Sequence, residues 1–161
     1  MNLIIIISNV IDKYIRQIIA IVLIVMTVVL SSQVIARYLM GTGLTWSEEI
    51  VRYMCIWMVF LGATSAQKEG SQISVTALEE LLPPLPQNIL MWIQKIFVIV
   101  YSGIVMWIGF NTLKVASTQA SPNMRIPMNY VYIVIPISMI IMLIHLASIL
   151  LVDISAKRLG R

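Results

Sequence analysis

Apolar positions fill this chain in four long blocks, and every charged residue falls outside them. The charge-free runs are 17–36, 53–67, 96–113 and 126–152. A helix that crosses a bilayer needs about 20 apolar residues, within a range of roughly 17 to 25. Three of the runs meet that length alone. The run 53–67 meets it when the helix starts near Trp46 and ends near Lys68. The pattern predicts an all-α membrane protein, one transmembrane domain over 1–161 with spans at about 15–38, 46–68, 87–116 and 130–153.

Between the blocks the periodicity changes. Ile4, Ile7, Ile11, Tyr14, Ile15 and Ile18 recur at helical spacing, with Ser8, Asn9, Asp12, Lys13 and Arg16 opposite them. That predicts an amphipathic lead-in lying at the interface before the first span. The glycines of 40–43 mark the end of that span. Residues 71–82 are too polar to cross, but Ile73, Leu78, Leu81 and Leu82 fit a helix lying on the bilayer surface, with Glu79 and Glu80 towards water. The prolines at 83, 84 and 86 end it, because proline lacks the amide donor a helix needs. Pro136 sits near the start of the last span, where a kink costs little.

Composition agrees with the pattern. The chain is 60% hydrophobic and 11% charged, with mean hydropathy +0.94; an average soluble domain carries about 25% charged residues. Segments outside the spans are too short for a second core. Residues 1–7 have no basic n-region and no small-residue cleavage pattern follows, so a cleavable signal peptide is not expected. With the N-terminus inside, Lys13, Arg16, Lys68, Lys95, Lys157, Arg158 and Arg161 lie inside, against Arg37, Arg52, Lys114 and Arg125 outside. The positive-inside rule therefore favours both termini in the cytoplasm. The single Cys55 cannot form an intrachain disulfide.

One cluster carries most of the polar chemistry. Thr45, Trp46, Ser47, Glu48, Glu49 and Arg52 open the second span, and Arg37 closes the first. Thr45 and Glu48 have capping-box spacing, in which hydroxyl and carboxylate each satisfy a free backbone N–H. Both carboxylates lie at the positive end of the helix dipole. Arg52 is four residues after Glu48 and three after Glu49, within reach of both. These charges can neutralise one another, hold the hairpin, or dock a partner subunit. Gly62 and Ala66 form a small-xxx-small stripe suited to close helix packing. His145 is the only histidine, too few for a bis-histidine haem or a zinc site; a polar spot on a helix–helix contact suits it. The eleven methionines follow no ligand spacing and read as packing residues. No phosphate-binding glycine loop, nucleophile set or nucleic-acid patch occurs, so an enzyme is not expected.

In order and spacing, Arg37-Tyr38, Trp46-Ser47-Glu48-Glu49-Ile50-Val51-Arg52, Phe60-Leu61-Gly62-Ala63, Lys68-x-Gly70-x-x-Ile73-x-Val75, Ile126-Pro127, Tyr132 and Pro136 resemble the small membrane (Q) subunit of tripartite ATP-independent periplasmic (TRAP) transporters. The likeness covers about 12–152 and is most specific over 37–75. It implies a multi-pass protein of the bacterial inner membrane, part of a sodium-driven importer. In that family a periplasmic binding protein delivers an organic acid, such as sialic acid or a C4-dicarboxylate, to a heterodimer of Q with a large M subunit. M resembles elevator transporters and carries the substrate and sodium sites, so no cofactor is expected in this chain. Q would brace M's static scaffold, with lipid around it. On that basis Arg37, Trp46, Glu48, Glu49 and Arg52 would form a polar lock. Gly62 and Ala66 would pack closely, and Gly70, Ile73, Val75 and Leu78 would belong to an interfacial arm. Two other classes fit parts of the pattern: an autonomous proton-coupled exporter, acting as a homodimer with a glutamate carrier, and an anchoring subunit of a respiratory complex.

Overall fold

The computed structural model describes residues 3–41, 43–69 and 84–158. Helix α1 is Leu3–Met40, α2 Thr45–Lys68 and α3 Pro84–Ala116. A single turn, α4 (Asn129–Tyr132), leads into α5 (Val134–Arg158). Four helices are long and apolar enough to cross a membrane, the last counting α4 and α5 together. The arm expected at 71–82, including Gly70, Ile73, Val75 and Leu78, lies outside the described residues.

Two sequence features set the helix ends. Gly41, at φ 68°, takes the left-handed conformation after α1 that an L side chain resists. Pro136 has no N–H to offer the carbonyl of Tyr132, and the helix breaks at Ile133 between α4 and α5. The chain alternates in direction, so the α1–α2 turn and the 117–128 loop share one end of the bundle. Helix α5 is its centre: it packs on α1, α2 and α3. Its most apolar window is 44% buried, against 11% for those of α1 and α3. The outward faces of α1 and α3 are therefore left for lipid or a partner.

The lead-in is not a separate element. Helix α1 is continuous over 38 residues, a length of about 57 Å, nearly twice the roughly 30 Å hydrocarbon core. The seam it turns inward is mixed: Ile11 and Ile15 pack into the core, while Asn9, Lys13 and Arg16 stay exposed. Ser8 and Asp12 are buried against other helices, whereas Ile4, Ile7, Tyr14 and Ile18 are exposed. In lipid the polar side chains seek partners inside the bundle and apolar ones face outward. Ser8, Ser47, Thr64, Ser102, Ser138 and His145 are all fully buried by the same logic.

Close packing occurs elsewhere than the small-residue stripe suggests. A Cβ built on Gly62 meets nothing within 4 Å, so that position makes no tight contact in the chain; Ala66 is half-buried. A Cβ on Gly109 would instead lie 3.2 Å from Pro136 Cδ and 3.3 Å from Ile135 Cγ2. Glycine there lets α3 approach the proline-bearing turn of α5.

Candidate functional site

Two polar clasps hold the bundle, one at each end. The first gathers around the start of α2. Glu49 is buried, and its carboxylate accepts three hydrogen bonds from the 117–128 loop: Ser121 Oγ at 2.6 Å, and the backbone N–H groups of Asn123 and Met124 at 3.1 Å each. Asn123 Nδ2 donates to the carbonyl of Thr45 at 3.3 Å. The loop is folded to present these donors. Ala120 and Pro127 form a bridge, Ser121 N–H donates to Ile126 O at 2.9 Å, and Arg125 N–H to Ser121 O at 3.1 Å. Closing so tight a loop puts Arg125 in the left-handed region, at φ 53°, which costs a non-glycine residue roughly 1–2 kcal/mol. Convergent backbone N–H groups of this kind form a nest for an anion. Here the anion is a side chain of the same molecule.

Glu48 faces another way. Its Oε1 accepts from Gln33 Nε2 at 2.8 Å and lies 3.5 Å from Arg37 Nη2. These contacts tie α2 to α1. The capping box does not form. Thr45 is the first helical residue and Leu44, with φ −80° and ψ 98°, precedes it without a side-chain cap. The reason is competition: Glu48 reaches sideways to Gln33 instead of back to a free N–H, and Ser47 Oγ donates to Leu44 O at 2.6 Å. Arg52 joins neither carboxylate in an ion pair; it is exposed, as is Trp46. Of the five residues expected in the lock, the structure brings Arg37 to Glu48 and gives Glu49 to the loop, while Arg52 and Trp46 stand outside.

The second clasp lies at the opposite end, and the sequence reading missed it. Asp12 accepts from Ser65 Oγ at 2.8 Å and pairs with Arg16 Nε at 2.9 Å. Arg16 extends the chain of charges to Glu69. Lys68 Nζ donates to Ser8 O at 2.7 Å and lies 3.9 Å from Asp12 Oδ2. Ser8 Oγ shares a 2.8 Å hydrogen bond with His145 Nδ1, which puts the histidine on a helix–helix contact. One network thus joins α1, α2 and α5. Its two anions and two cations balance: Asp12 and Lys68 are largely withdrawn from water and pair as buried charges require, while Arg16 and Glu69 stay about half exposed. The available signal was Asp12 with Arg16 four residues on, beside an apolar run.

Neither clasp has the layout of a catalytic or metal centre. Among the described residues no three His, Cys, Asp or Glu side chains converge on a metal position. Most of the clasps' donors and acceptors join helices, while His145 Nε2 is buried without a hydrogen-bond partner among the described residues.

The chain matches the family of tripartite ATP-independent periplasmic transporters, DctQ component, over residues 26–156. It belongs to that family. Among its relatives is a TRAP transporter small permease protein of Haemophilus influenzae, 36% identical over 92 residues, which are 55% of this chain and 57% of the relative. The isethionate TRAP transporter permease protein DctMQ of Oleidesulfovibrio alaskensis is 31% identical over 103 residues, 63% of this chain and 16% of that one. The sialic acid TRAP transporter small permease protein SiaQ of Vibrio cholerae is 29% identical over 82 residues, 51% of this chain and 47% of its own. The matches thus span about half of the two small permeases and a minor part of DctMQ. The DctQ family assignment includes both the Glu48–Glu49 cluster and His145, and it makes this chain a multi-pass transport subunit.

Proposed function

We propose that this DctQ-family chain is the static brace of a TRAP transporter, binding a large M subunit side by side in the bacterial inner membrane while M carries the substrate and the sodium ions. The observation that carries this reading is the alignment with DctMQ. A stretch similar to this chain makes up a small part of that permease, so there it shares one polypeptide with a much larger remainder. The structure supports a bracing role in kind. Its buried charges are committed to holding helices together, and broad apolar faces of α1 and α3 point outward. A brace can bias the inward and outward states of its partner only through contacts that differ between them.

The cargo in this reading is an organic acid delivered by a periplasmic binding protein. The names of two relatives carry isethionate and sialic acid, which supports an organic acid as cargo; C4-dicarboxylates remain within the expectation drawn from the family resemblance. Both termini are assigned to the cytoplasm, so the Glu49 clasp faces the periplasm and the Asp12 clasp the cytoplasm. The test is a tagged pull-down from native membranes in mild detergent. Recovery of a large polytopic protein at one-to-one ratio is expected. Recovery of this chain alone as a homodimer would refute the brace and favour the small proton-coupled exporter.

A further inference from the structure

The second clasp leaves two buried polar side chains short of partners. Gln67 is 6% exposed and His145 is fully buried. Four buried side-chain atoms have no hydrogen-bond partner among the described residues, and three of them are Gln67 Nε2, Gln67 Oε1 and His145 Nε2. The fourth, Ser102 Oγ, is on α3. A buried donor or acceptor without a partner costs more than a typical hydrogen bond returns. Native interiors therefore supply one, from protein or from ordered water.

Two observations bring these atoms to one place. Ser8 takes a hydrogen bond from Lys68 Nζ on its carbonyl and shares another with His145 Nδ1 through its hydroxyl. The imidazole is thus level with the end of α2, where Gln67 is the neighbour of Lys68. The helical repeat sets the faces. Trp57 and Phe60 of α2 pack against the core cluster that contains Val134 of α5, and Gln67 follows them by ten and seven residues, roughly three turns and two. His145 follows Val134 by eleven, about three turns. Helices α2 and α5 pack on each other and run in the same direction, so both side chains belong to their shared seam.

Ser8 also decides which imidazole nitrogen holds the proton. Its hydroxyl makes one side-chain hydrogen bond, to His145 Nδ1. With the hydroxyl donating, its proton is satisfied, Nδ1 is the acceptor and Nε2 carries the imidazole proton. In the other tautomer the hydroxyl proton would lack an acceptor as well. Nε2–H therefore needs an acceptor, while the Gln67 amide needs partners of both kinds. Water is both donor and acceptor. An ion suits the seam less, because the two anions and two cations beside it already balance.

We infer that the seam between α2 and α5 binds a water molecule, which accepts from His145 Nε2–H and pairs with one end of the Gln67 amide. It carries the Asp12 clasp from α1 across to the α2–α5 contact, and it does not depend on the bracing role.

The chain has a single histidine, so full-length protein made with nitrogen-15 histidine gives one imidazole to read. The spectra are taken in lipid nanodiscs at about pH 8, where an unperturbed imidazole is neutral. The nitrogen shifts are expected to place the proton on Nε2, and that proton is expected to show a cross-peak to water. Bulk solvent does not reach the fully buried ring. The cross-peak should be lost in Gln67→Met, which keeps the length of the side chain without its amide, and should persist in Ser102→Ala. Circular dichroism checks that both variants remain helical. A proton on Nδ1, no water cross-peak in the native chain, or an unchanged cross-peak in Gln67→Met would each overturn the proposal. So would a cross-peak from Nε2–H to the Gln67 amide in place of water, which means direct contact.

Discussion

Glu49 shows how a carboxylate in a membrane helix can be engaged by a loop far away in the chain. It accepts three hydrogen bonds from one loop, two of them from backbone. Hydrogen bonds to an ionised group are about twice as strong as neutral ones. Glu49→Gln changes one acceptor oxygen into an NH2 that faces existing donors, so the loop loses its anchor even though the side chain keeps its shape. Trypsin reads this directly, since Arg125 lies in the loop. Cleavage there is expected to rise at least tenfold in Glu49→Gln and to stay near the native rate in Arg52→Gln. An unchanged rate in Glu49→Gln would contradict the clasp. The sequence made Glu49 conspicuous, but its partners lie 72 to 75 residues away, and no local spacing rule reaches that far. Arg52, the nearest cation on a helical count, proved to have no bonded role, because the helix-surface rule weighs i,i+4 neighbours and ignores a competing loop.

At the scale of elements, the four spans were legible because lipid imposes one dominant requirement, a sufficient length of uncharged chain. Which face of each helix turns inward was not legible by the same means. The lead-in 4–18 has helical periodicity that fits a surface helix or a buried polar seam equally well. Only the presence of Ser65, Lys68 and His145 opposite Ser8 and Asp12 decides for the seam. Glycines carried the same ambiguity: Gly62 and Gly109 both lie in apolar helices, yet only Gly109 is pressed against a neighbour. Gly109→Leu should destabilise the chain by about 1–3 kcal/mol through overpacking against Ile135 and Pro136. Gly62→Ala should be neutral or stabilising for the isolated chain, since alanine favours helix by about 1 kcal/mol. Unfolding midpoints of the two variants in the same mixed micelles give the comparison. Equal destabilisation would mean that α2 is crowded at Gly62 as well.

Across the whole molecule, the two clasps explain how a bundle of apolar helices keeps one arrangement. Dispersion and hydrocarbon packing do not strongly favour one rotation of a helix over another in lipid, whereas buried polar contacts do. Asp12 and Gln33 are on the same helix, 21 positions apart, or about 31 Å at 1.5 Å per residue. Gln33 reaches the Glu48 carboxylate beside the first clasp, so the two networks are separated by most of the bilayer. If each clasp fixes its own end, breaking both should cost the sum of breaking each. Asp12→Ala removes the acceptor of Ser65 and the counter-charge of Lys68, and Ser121→Ala removes the shortest donor to Glu49. Sites more than about 7–10 Å apart add within roughly 0.3–0.5 kcal/mol. The double variant, measured by unfolding in mixed micelles, should therefore fall on the sum of the singles within that margin. A coupling above about 1 kcal/mol would require a two-state element joining the ends. Helix α5 would then be the first place to look, because it packs on each of the other three spans and carries His145 of the second clasp. Additivity would make the chain a frame pinned separately at its two ends.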